Sequence, residues 1–195
     1  MSYSIDPISA NCYPGTSILI NKFDIRDEQK LNEVESVLVS ARNTEWINVP
    51  GQSSFDFEHY KEIHRYLFSD LYDWAGQIRT IDISKKGTLF CPAERIETQA
   101  ALIFGRLAER NYFKRLPHEE FIDEIVDFYC ASNYLHPFRE GNGRTQRAFL
   151  TQLVRNAGYD INWADMDGDL LMIATIQAAQ GVVDLLRSVL NENII

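Results

Sequence analysis

His136-Pro137-Phe138-Arg139-Glu140-Gly141-Asn142-Gly143-Arg144-Thr145-Gln146-Arg147 is the stretch around which the rest of the chain organises itself. Pro137 disfavours helical geometry at the residue before it, so a helix arriving from upstream ends near His136. Gly141 and Gly143 carry no side chains, which lets backbone N–H groups crowd around a ligand. A helix then begins at Arg144, and a glycine-rich loop feeding a helix N-terminus is an anion site, since unpaired N–H groups and the positive dipole end face the ligand. Arg144 and Arg147 lie about one helical turn apart and add charge-assisted donors, enough for a polyphosphate. Glu140 is a hard oxygen ligand suited to a Mg²⁺ that bridges phosphates. His136 titrates near neutrality and can take a proton from an attacking hydroxyl, while the loop, metal and arginines carry transition-state charge. Singly, the histidine reads as a helix cap, the glutamate as solvated and Gly-Asn-Gly as a turn; together at one helix junction they point to chemistry. Phe138 reads as a core anchor that fixes the loop's shape.

Outward from this loop, the pattern is helical on both sides. Helices are expected over 93–111, 117–135 and 144–157, the last stopped by Gly158, then over 169–180 and 182–193 with Gly181 between them. Upstream, Asp27 caps a helix carrying Leu31, Val34, Leu38 and Ala41, which ends at Pro50-Gly51. Asp56 caps another with Tyr60, Ile63, Leu67 and Leu71 on one stripe, broken by Trp74-Ala75-Gly76. The first segment holds a turn at Tyr13-Pro14-Gly15-Thr16 and then Ile18-Leu19-Ile20, which fits extended structure. Only 77–92 turns to period two: Ile81 and Ile83 alternate with Thr80, Asp82 and Ser84, and Lys85-Lys86-Gly87 supplies a turn before Thr88-Leu89-Phe90. The expectation is a mainly α single domain over 1–195 with one small β-hairpin.

Composition excludes several alternatives. The 195 residues include 19 Lys+Arg and 28 Asp+Glu, a formal charge of −9, which argues against nucleic acid as a primary ligand. With 45% hydrophobic and 24% charged residues the chain can build a sizeable core without disulfide or metal staples. Cys12, Cys91 and Cys130 form no Cys-x-x-Cys pair and read as buried free thiols in a reducing compartment. With no basic–apolar leader and no apolar run long enough to span a bilayer, the expectation is a cytoplasmic protein that does not use a membrane.

The 136–147 segment resembles the signature of the Fic (Fic/Doc) family, His-x-Phe-x-Asp/Glu-Gly-Asn-Gly-Arg-x-x-Arg, at every fixed position. Leu71-Tyr72-Asp73-Trp74-Ala75-Gly76, Ile78-Arg79 and Tyr13-Pro14-Gly15-Thr16 are also similar to family members. The resemblance implies a helical bundle with a β-hairpin flap and transfer of AMP from Mg-ATP to a Tyr, Ser or Thr hydroxyl of a target protein, with self-modification as a further option. It implies that His136 is the general base, that Glu140 binds magnesium, and that Gly141, Asn142 and Gly143 cradle the phosphates while Arg144 and Arg147 bind them. It also implies that Lys85, Lys86, Gly87 and Thr88 belong to a flap that aligns the target by strand addition. Relatives of the Doc type that phosphorylate their target carry Lys where this chain has Gly143, which favours nucleotidyl transfer. Transfer of another phosphate-linked group and a noncatalytic nucleotide-sensing or protein-interaction module stay open as alternatives.

The C-terminal segment carries a second signal. From Val182, the residues Leu185, Leu186, Val189 and Leu190 share an amphipathic face, and Ser188 and Glu192 lie together at its boundary. Ser188-Val189-Leu190-Asn191-Glu192-Asn193 resembles the family's inhibitory motif, Ser/Thr-x-x-x-Glu-Gly/Asn, at the position used by the class with its own C-terminal inhibitory helix. The resemblance implies an autoinhibited enzyme in which Glu192 pairs with Arg147.

Overall fold

The structure is a computed structural model that describes residues 11–48, 54–85 and 87–195. The Pro50-Gly51 helix stop and Lys86 of the hairpin lie outside the described residues. Seven α-helices follow in order among those described: α1 (Glu28–Trp46), α2 (Phe57–Phe68), α3 (Ile96–Glu109), α4 (His118–Leu135), α5 (Asn142–Ala157), α6 (Gly168–Ala179) and α7 (Asp184–Asn193). Between α2 and α3 stand the antiparallel strands β1 (Ser84–Lys85) and β2 (Thr88–Leu89), paired Ser84 to Leu89 and Lys85 to Thr88.

The helix starts follow from their caps. Asp27 accepts the N–H of Lys30 and Asp56 that of His59, each satisfying one of the donors a first turn leaves unpaired. Gly158 closes α5 in the left-handed region at φ +99°. In α1 the buried stripe is Leu31, Glu35, Val39 and Trp46; of the expected stripe Leu31 is buried, Val34 and Leu38 pack at the edge of the core and Ala41 is exposed, so the core face is centred one position further round. That rotation buries a carboxylate, with consequences at the site. The helix expected over 93–111 is α3 framed by short 3₁₀ turns, because Asn111, Tyr112 and Phe113 all take positive φ and end it.

Phe138 meets its expectation. Its ring is fully buried, stacks at 3.8 Å on His64 and lies parallel to Tyr60 at 5.8 Å, with Phe149 of α5 edge-on to Tyr60. The loop between α4 and α5 thus sits on an aromatic core shared by α2 and α5. The hairpin ladder is shorter than the alternation of Ile81 and Ile83 suggests. Its stem is tied instead by Arg79, whose buried guanidinium donates to the carbonyls of His136, Ile81 and Cys91 while its N–H donates to Pro137. Backbone groups committed to Arg79 and the loop cannot also pair across the hairpin. The three cysteines form no disulfide; Cys12 and Cys91 are buried and Cys130 is half-buried. No helix among the described residues is long and apolar enough to cross a membrane.

Candidate active site

The α4–α5 loop opens on a cavity of about 600 Å³ lined by the polar loop and hairpin residues Lys85, His136, Glu140, Gln146 and Arg147 and by the apolar Trp163, Met166, Leu171, Met172 and Ile176. α4 stops at Leu135, as Pro137 requires, and His136 takes a left-handed conformation, φ +41°. His136 Nδ1–H donates to the Asn133 carbonyl at 2.8 Å. That bond fixes the tautomer, since a carbonyl only accepts, and makes Nε2 the basic nitrogen. Burial, helped by the charges of Lys85 and Arg79 and opposed by the Asn133 bond, lowers the imidazole pKa to about 3. Phe90, just after β2, stacks on the ring at 3.7 Å and 11°, so the hairpin lies directly on the base.

α5 begins at Asn142, two residues earlier than expected, because Gly141 adopts φ +79° as its N-cap. A Cβ at Gly141 would stand 2.3 Å from the buried Phe68 ring, so only glycine fits. The first helical N–H groups, at Asn142, Gly143 and Arg144, are those an α-helix leaves without intrahelical partners, and Thr145 is the first to bond back, to Gly141. Asn142 serves the loop's shape with its side chain: Oδ1 accepts from the Phe138 N–H and Nδ2 donates to the Phe138 carbonyl, both at 2.8 Å. Arg147 lines the cavity, and burial lowers its pKa.

Arg144 behaves differently from the expectation of two equivalent phosphate ligands. It is not among the cavity's lining residues. Its Nη2 donates to Glu35 of α1, and its guanidinium covers the Phe68 ring at 4.8 Å. Glu140 takes the Gly141 N–H at 2.9 Å and stands 3.7 Å from the same Nη2. Burial raises the Glu140 pKa, against the Gly141 bond and Arg144. Behind it, the Gly76 N–H donates to His64 Nδ1 at 2.8 Å, so His64 Nε2 carries the proton and donates to the Glu140 carbonyl at 3.0 Å. Burial keeps His64 neutral, with a pKa of about 3. Among the described residues no group of three or more His, Cys, Asp or Glu could hold a metal. Among the described residues Glu140 is the one carboxylate lining this cavity, which fits Mg²⁺ held by one protein oxygen and by phosphate oxygens.

The C-terminal helix does not bring Glu192 to Arg147 in this structure. α7 docks Leu186, Val189 and Leu190 against α4 and α6, which leaves Ser188 and Glu192 exposed and bonded to each other at 3.1 Å. Glu192 forms no ion pair with Arg147. Ser188 and Glu192 sit on the solvent side of the amphipathic boundary. Glu35, Tyr72, His64, Asn133, Phe90 and the apolar lining residues received no site role from the sequence. Glu35 had a visible signal, an acid four residues from both Leu31 and Val39 on one helical stripe.

The class of protein follows from the loop and its helical frame, and residues 54–154 match the family described as Fic/DOC family. The chain belongs to that family. It is 38% identical over 177 residues, 90% of this chain and 89% of the relative, to the probable protein adenylyltransferase y4lH of Sinorhizobium fredii. It is 33% identical over 180 residues, 92% of this chain and 89% of the relative, to the probable protein adenylyltransferase Fic of Escherichia coli. Among solved structures, the BepC protein of Bartonella tribocorum with bound AMPPNP superposes with a TM-score of 0.91 at 27% identity, covering 95% of this chain and 96% of that one.

Proposed function

We propose that the chain is a protein adenylyltransferase that moves AMP from ATP to a hydroxyl side chain of a target protein. The observation that carries this reading is the meeting of His136, the N-terminus of α5 and Arg147 in one cavity. The relatives' names and the AMPPNP bound to BepC support it. The triphosphate rests on the N–H groups of Asn142, Gly143 and Arg144 and on Arg147. The apolar lining residues Trp163, Met166, Leu171, Met172 and Ile176 accept the nucleoside. Glu140 holds Mg²⁺, which when bound neutralises phosphate charge.

His136 Nε2 takes the proton of the target's Tyr, Ser or Thr hydroxyl. The oxygen forms a bond to the α-phosphorus, the bond from that phosphorus to the β-phosphate bridging oxygen breaks, and pyrophosphate leaves. Neutral imidazole is the basic form, and a polyanion beside it favours the imidazolium that the transfer produces. The short hairpin next to the base is the element placed to align the target's backbone, with Lys85 and Thr88 at the cavity edge.

The test is incubation of the chain and a cell lysate with ATP labelled at either the α- or the γ-phosphate. α-Label alone on protein is expected. γ-Label alone means a kinase, and no label on any protein means a binding module.

A further inference from the structure

Glu35 is a carboxylate from outside the loop that is 6% exposed, on the core face of α1. A buried carboxylate is stable only when paired and hydrogen-bonded. Both its oxygens are engaged: Oε1 accepts from Arg144 Nη2 and Oε2 accepts from the hydroxyl of Tyr72. Tyr72 is itself fixed, 1% exposed and stacked on Trp74 at 4.4 Å. The Phe68 face holds the guanidinium from a third side. Arg144 is thus drawn toward α1 and α2, away from the cavity that Glu140 and Arg147 line.

The consequence falls on Glu140. Its Oε1 stands 3.7 Å from the same Nη2 that Glu35 engages, near enough for attraction and too far for a hydrogen bond. Two carboxylates share one guanidinium, and the nearer one is Glu35. We propose that Glu35 is a positioning residue that keeps Arg144 from closing on Glu140, leaving the Glu140 carboxylate available to the divalent cation of an incoming nucleoside triphosphate. This rests on the reading of Glu140 as the cation's protein ligand. With the Glu35 charge removed, Arg144 becomes an internal competitor for that ligand.

The experiment measures Mn²⁺ binding to the AMPPNP complex by electron paramagnetic resonance, alongside the Mg²⁺ dependence of α-label transfer, in wild type and Glu35→Gln. Mn²⁺ affinity is expected to fall about tenfold, as loss of one nearby charge interaction allows. The Mg²⁺ half-saturation should rise by a similar factor while the rate at saturating Mg²⁺ returns to within about twofold of wild type. In an Arg144→Gln background, Glu35→Gln should add nothing, because its effect runs through that guanidinium. Unchanged Mn²⁺ affinity with only a lowered melting temperature would reduce Glu35 to a structural role and overturn the proposal. A rate that rises at every Mg²⁺ concentration would also overturn it, making Glu35 a competitor of the nucleotide for Arg144. If Glu35→Gln does not fold, Glu35→Asp, which keeps the charge but shortens its reach, takes the same measurements with a smaller shift expected. Mn²⁺ binding is read without turnover, so an inactive wild type would sink the transferase reading while this one still stands or falls by itself.

Discussion

The loop at 136–147 and the helix at 184–193 both carry a family-like motif, yet only the first has its polar residues gathered around the cavity in this structure. In the loop nearly every motif residue is fixed by a neighbour: Phe138 by His64, Gly141 by Phe68, Asn142 by the Phe138 backbone and His136 by Asn133. On α7 the two polar motif residues Ser188 and Glu192 are exposed and joined by one hydrogen bond, while the apolar Val189 and Leu190 between them hold the helix to the core. A motif whose members are interlocked with the core predicts geometry. One written on a helix's solvent boundary predicts only a helix.

The sharpest way to break that contrast is His136→Ala. Loss of a positioned base is worth typically 10²–10⁴-fold, so α-label transfer should fall by about that factor with nucleotide binding retained. Near-wild-type transfer would remove the loop from the chemistry.

Acid should act next. His64 and His136 are held near pKa 3 when folded, against an ordinary value of 6.5. Between those limits the unfolded chain binds protons that the folded chain refuses, so stability falls as pH drops from about 6.5 toward 3, by about 1.4 kcal/mol per pH unit for each group. The raised Glu140 carboxyl works in the opposite sense, so the clean comparison is wild type against His64→Gln in denaturant titrations at pH 7 and 5. His64→Gln should flatten the slope by about one histidine's share.

Gly141→Ala tests the interlock itself. A methyl group forced onto the Phe68 ring at positive φ should cost at least about 1–3 kcal/mol in thermal or chemical unfolding. Gly143→Ala, where the nearest atom to the new Cβ is Arg147 Nη1 at 3.6 Å, should leave stability nearly unchanged. At the far end of the scale, Glu192→Gly should leave labelling at the wild-type rate. A large activation would show that α7 reaches the cavity in a conformation other than this one.

The fold and much of the loop were legible because their signals are local. Asp27 and Asp56 at helix starts, Pro137 after a helix and Gly158 beyond one each act within a turn of their own position. What escaped was long-range. Glu35 and Arg144 are 109 positions apart, and Arg79 binds the His136 carbonyl across 57. Periodicity marks a stripe as buried and says nothing of which distant cation a buried acid meets. The Ser188–Glu192 spacing illustrates the converse, since correct spacing on one helix cannot tell which side of the docking boundary faces the cavity.

The proposed activity couples proton removal at His136 to breakage of the α–β phosphate bond on ATP. It is tested most directly by measuring protein-bound AMP and released pyrophosphate in one reaction of wild type with a target-containing lysate. One pyrophosphate should appear for each AMP attached, and His136→Ala should lose both together. Protein-bound γ-phosphate, or pyrophosphate released without protein-bound AMP, would contradict it.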